Sequence, residues 1–142
     1  MQRGYTLAEL AVAMSVVGLV TAATLPRWSS LLDQISVERA ASELTTALAV
    51  ARNEAVVRAG RARLWIASDS LRIDALEDSG WAVVRRWPGP ERHGVSLSVS
   101  NPTVVFGPTG IGWGASNTKV LLRLGLHTAT ITTSRLGRVK RW

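Results

Sequence analysis

The chain has 142 residues, room for one ordinary domain and too few for two. It contains no cysteine, which excludes disulfides and thiolate metal or redox sites, and its two histidines, His93 and His127, are not at metal-ligand spacing. All ten acidic residues lie between Glu9 and Glu91, so the net charge of +7 arises entirely after Glu91. A basic tail of this kind suits a polyanionic partner such as nucleic acid or anionic lipid.

The first element is an apolar run from Tyr5 to Leu25 whose only charge is Glu9. About 20 such residues cross a ~30 Å hydrocarbon core as a helix. The run starts directly after Met-Gln-Arg-Gly, and Leu25-Pro26-Arg27-Trp28 follows it without a small-residue cleavage pattern. It therefore reads as an anchor with Arg3 on the cytoplasmic side rather than as a secretory signal peptide. A carboxylate inside such a helix costs about 3 kcal/mol on insertion scales, so Glu9 marks a partner.

Arg3-Gly4-Tyr5-Thr6-Leu7-Ala8-Glu9-Leu10 resembles the type III leader junction of type IV pilins and type II secretion pseudopilins. The resemblance implies that a prepilin peptidase cuts between Gly4 and Tyr5 and that Tyr5 is then N-methylated. It also implies that Glu9, fifth in the mature chain, meets the free terminal amine of a neighbouring subunit during filament assembly. Tyr5 stands where phenylalanine is usual and Ala8 where a larger aliphatic is usual, but the spacing is intact. Pro26 falls where pilins bend or locally melt their helix. By its own chemistry it equally suits the first turn of a new helix.

Beyond Pro26 the helical period continues. Leu31, Leu32, Ile35, Leu44, Leu48, Ala51 and Ala55 are expected on the packed face, and Ala59-Gly60 supplies a stop. A helix from Tyr5 to about Arg58 would be roughly 80 Å long. After Gly60 the period becomes two. Strands are expected at 62–67, 71–75, 81–87, 95–99, 103–106, 119–124, 128–132 and 136–141, separated by turn residues. The expected fold is α+β: a long N-terminal helix, half transmembrane and half amphipathic, packed on a small antiparallel β head. The divisions are a leader at 1–4, a membrane half at 5–26, an amphipathic half at 27–60 and a β-rich periplasmic head at 61–142.

Phe106-Gly107-Pro108-Thr109-Gly110, a later strand, and Gly137-Arg138-Val139-Lys140-Arg141 are together similar to the GspH/FimT group of minor pilins. Members show a Phe-x-Pro-x-Gly turn and a Gly-Arg-x-Arg-like ending; here lysine takes the second basic position, with Arg141 one step later. The resemblance implies a non-enzymatic filament subunit without cofactor or metal. It would be a minor pseudopilin of a type II secretion system, held in the bacterial inner membrane by one span with its head in the periplasm. Its partners would be a prepilin peptidase, other pilins or pseudopilins, and inner-membrane lipid.

The alternative it implies is a minor type IV pilin that takes up DNA through the basic tail. Arg135, Arg138, Lys140 and Arg141 would contact phosphates, with Arg138 and Lys140 on one strand face and Arg141 on the other. The same cations equally suit a guarded edge strand. No catalytic triad is recognisable. The glycine-rich stretch Gly107–Gly114 lacks a following Gly-Lys-Ser/Thr and reads as a flexible hairpin loop, with Trp113 as a contact residue.

Overall fold

The computed structural model describes residues 6–142, with backbone alone for residues 24–27. Gly4 and Tyr5, the expected cleavage and methylation positions, lie outside the described residues, as does the Pro26 side chain. Helix α1 (Leu7–Val57) has a range that includes Pro26. Eight strands follow among the described residues: β1 (Ala62–Ile66), β2 (Ser70–Glu77), β3 (Gly80–Pro88), β4 (Ser96–Val99), β5 (Thr103–Phe106), β6 (Thr118–Leu124), β7 (His127–Thr133) and β8 (Val139–Arg141). A 3-10 turn, Pro90–His93, precedes β4.

The chain divides into a unit ending at Leu32 and a second, Asp33–Trp142. In the first, the apolar side chains of α1 are exposed on every side; Leu7, Val12, Met14, Leu19 and Val20 all face outward. This part is long and apolar enough to cross a membrane.

In the second unit α1 buries one stripe: Val37, Ala40, Ala41, Leu44, Ala47, Leu48, Ala51 and Ala55. These follow three- and four-residue steps, and five alanines let the sheets approach the helix closely. Leu31, Leu32 and Ile35, expected on this face, are instead exposed. The reason is angular. Nine residues separate Ile35 from Leu44, which is two and a half turns, so the two stand on opposite faces.

The helix ends at Ala59-Gly60 as expected. The Gly60 N–H bonds the Ala55 carbonyl and the Ala59 N–H bonds that of Val56, the paired closure of a Schellman motif. The left-handed position is held by Ala59 (φ 48°), where glycine is the usual choice.

Two antiparallel four-stranded sheets share the core, one in the order β3-β2-β1-β5 and the other β4-β6-β7-β8. Alternation selects their inner faces. Ala62, Leu64 and Ile66 pair with Ala75, Ile73 and Leu71, while Ala62 and Leu64 also face Phe106 and Val104. Val120 and Leu122 pair with Ile131 and Ala129 in the second sheet. All but Ala75 join the helix stripe in one cluster. A fully buried leucine such as Leu44 or Leu48 contributes about 1.5–3 kcal/mol.

The glycine-rich stretch folds back on itself as the expected hairpin loop, with an antiparallel bridge between Phe106 and Gly112. It carries the chain from β5 in one sheet to β6 in the other, and its bonds are tight: Gly107 N–H to Ile111 O and Trp113 N–H to Val105 O. Gly112 packs so closely that a Cβ would stand 2.9 Å from the Arg135 carbonyl. The expected strand at 136–141 is shorter, because Ser134–Gly137 form the β7–β8 turn. The Gly137 N–H bonds Ser134 O, and Gly137 is left-handed (φ 71°).

Candidate functional site

Two regions hold the residues singled out from the sequence. At the start of α1, Thr6 and Glu9 form a reciprocal cap. The Thr6 N–H donates to Glu9 Oε2 at 2.9 Å, and the Glu9 N–H donates to Thr6 Oγ1 at 3.2 Å. This is the capping box, which satisfies two of the orphan amides that every helix start leaves open. Thr-x-x-Glu before an apolar run is its sequence signature, so the local partner of Glu9 is legible in the sequence.

The second region is the C-terminal tail. The β7–β8 turn places Arg135, Arg138 and Lys140 around one open groove of about 620 Å³, with Asn117, Thr132 and Ser134 among its other lining residues. Arg138 precedes β8 and Lys140 lies within it; both are exposed. The turn geometry depends on Gly137, where a Cβ would stand 2.6 Å from the Gly110 carbonyl. Three of the four expected cations thus meet in one place.

Arg141 does not join them. Its guanidinium pairs with Glu38 on α1, and it lines a different groove with Ser42, Thr45 and Asn53. Alternation along β8 separates it from Lys140, as the strand period requires. Terminal Trp142 is exposed, its ring 5.4 Å from the Lys140 Nζ, and it continues the pairing of β8 through two bonds with Thr130. Among the described residues no group of three or more acidic or histidine side chains is placed to hold a metal.

Sequence reasoning missed a set of arginine–tryptophan pairs. Arg61 lies 4.1 Å over Trp113, Arg63 4.4 Å over Trp81, and Arg72 5.9 Å over Trp65. Strand register was the signal that would have found one of them, since Trp65 and Arg72 are direct cross-strand partners.

Residues 1–25 match the model of the prokaryotic N-terminal methylation motif, and residues 40–137 match that of the type II transport protein GspH. No curated protein matches the chain by sequence. Among solved structures, the chain is similar in fold to the type IV minor pilin FimU of Pseudomonas aeruginosa. The TM-score is 0.62 at 19% identity, over 73% of this chain and 86% of that one. It is similar likewise to the minor pseudopilin EpsH of the Vibrio cholerae type 2 secretion system. There the TM-score is 0.62 at 13% identity, over 75% of this chain and 96% of that one. A methylation motif leading into a long apolar helix, and a family match over most of the remaining chain, place this protein in the GspH family of minor pseudopilins, structural subunits rather than enzymes.

Proposed function

We propose that the chain is a minor pseudopilin that enters a type II secretion filament through its N-terminal helix after cleavage between Gly4 and Tyr5. The observation that carries this reading is the methylation motif over residues 1–25, running into a helix whose first part exposes its apolar side chains. In this reading prepilin peptidase removes Met1–Gly4 and Tyr5 becomes the methylated N-terminus. Residues 5–26 sit in the inner membrane, with 27–60 and the 61–142 head in the periplasm. Glu9 takes the amine of a neighbouring subunit in exchange for its cap on Thr6, a trade that keeps the carboxylate bonded in both states. Pro26 is the point at which the helix adjusts during packing into the filament.

The test is to produce the full chain with a prepilin peptidase in a host that has type II secretion but lacks its own GspH-family subunit. The wild-type chain is expected to lose its first four residues, gain one methyl group on Tyr5 and restore secretion. Gly4→Glu is expected to stay full length and to fail. An unprocessed wild-type chain overturns the reading and leaves a plain single-pass membrane protein.

One observation favours a second reading, DNA uptake as a minor pilin: three tail cations meet in one open groove. Phosphate contacts of this kind are salt-sensitive and sequence-independent. DNA binding by the full chain in detergent micelles, followed across a salt series, tests it. Changing Arg135, Arg138 and Lys140 to alanine should flatten the log–log slope by about 0.9 per lost contact. Arg141→Ala should leave it unchanged, because that side chain is held by Glu38. Binding indifferent to all four cations retires the DNA reading.

A further inference from the structure

The two sheets present unlike outer faces. That of the second sheet is the ordinary water-facing kind, with Ser96 opposite Arg123, Lys119 opposite Thr132 and Arg123 opposite Thr128. On the outer face of the first sheet Trp65 stands opposite Arg72, Arg63 opposite Asp74 and Leu76 opposite Trp81. Trp65, Trp81 and Trp113 remain 41%, 37% and 50% exposed, and Val83 beside them is open to solvent.

This face is also fixed in shape. Asp74 is 1% exposed; its Oδ2 accepts a hydrogen bond from Arg63 Nε at 2.8 Å, while its Oδ1 forms an ion pair with Arg72 Nε at 3.0 Å that lacks hydrogen-bond geometry. One buried carboxylate therefore directs the Arg63 guanidinium by a hydrogen bond and holds that of Arg72 by charge, and each of these also lies over a tryptophan ring. Arg61 over Trp113 repeats the arrangement without a carboxylate beneath. Arg61, Arg63, Arg72 and Arg86 outnumber the single Asp74, so the face is basic and an occupant must bring the negative charge.

We propose that this tryptophan–arginine face docks the acidic, carboxylate-bearing surface of another protein. Tryptophan and arginine are the residues that most often carry binding energy at protein interfaces, and a fork held in place loses little entropy on meeting a carboxylate. Each of the three tryptophan rings has a guanidinium group over it, which competes with stacking by nucleic-acid bases. A fluid headgroup layer gains nothing from arginines of fixed direction. The proposal does not rest on the choice between secretion and DNA uptake, since the face shares no residue with the tail groove.

The test uses the full chain in detergent micelles and a short peptide of alternating glutamate and leucine as probe, with binding followed by fluorescence anisotropy. Trp65→Thr combined with Trp81→Thr should weaken binding about tenfold or more, the loss of an interface hot spot. Arg61→Glu, at an exposed position, should weaken it several-fold with the fold intact by circular dichroism, which keeps the test open if the tryptophan variant does not fold. Changing Arg135, Arg138 and Lys140 to alanine should leave peptide binding unchanged. Peptide binding that depends on the tail and not on the tryptophans overturns the proposal. So does tighter tryptophan-dependent binding of an oligothymidylate strand or of vesicles containing phosphatidylglycerol.

Discussion

Helix α1 is one element with two regimes. Between Leu7 and Val20 its large aliphatics are exposed on every side, in a stretch long and apolar enough to cross a membrane. Between Val37 and Ala55 the apolar residues are fewer and smaller, but they form a single stripe and almost vanish from the surface. Hydrophobicity alone therefore does not build the head. The angular placement of modest side chains does, because a stripe of alanines with two leucines matches the space that two sheets leave against a helix.

The largest test of this contrast is Leu48→Ala. It removes a fully buried side chain from the stripe and should destabilise the head by about 2–5 kcal/mol, read as a lower urea midpoint for the full chain in micelles. Next comes Ala51→Leu, which adds volume where none is free. It should cost about 1–3 kcal/mol even though it makes the helix more hydrophobic and a better fit to a membrane pattern. Ala59→Gly works in the opposite direction. Relieving the left-handed alanine at the end of α1 should stabilise the head by up to about 1 kcal/mol and raise the midpoint accordingly, the difference between strain removed and chain entropy added. The smallest effect belongs to Val17→Ser, which should leave the head's unfolding midpoint unmoved, since Val17 is exposed in the other unit. A shift comparable to that of Leu48→Ala would mean that the two regimes are not separate.

The long helix, its stop and the run of strands were legible because each rests on a local period: 3.6 for the helix, two for the strands, glycine at the breaks. The phase of the helix was not. The step from Ile35 to Leu44 looks like a continuation when only apolar residues are counted, yet it crosses to the opposite face, and the missing members were Val37, Ala40, Ala41 and Ala47, whose small side chains signal weakly. Strand pairing was hidden for a different reason. β5 and β6 are neighbours in sequence but belong to different sheets, and the glycine-rich connection between them shows no local sign of which it joins.

At the sites, the cations Arg135, Arg138 and Lys140 were readable as a cluster because they share one turn and one strand. The removal of Arg141 from that cluster depends on Glu38, far away in sequence. Asp74 was not readable at all. A lone aspartate in a strand reads as solvent-facing until the register places Arg63 opposite to it.

The last strand carries a consequence for the order of events in the cell. Arg141 in β8 reaches back to Glu38 across 103 residues of chain. The second sheet is thus completed by a segment synthesised well after the helix it packs on. Contacts of such long sequence separation close late, because the entropy of looping the intervening chain must be met first. The apolar start of α1 precedes the head in the chain and is made while the head is still open. Its insertion can therefore precede closure of the β domain.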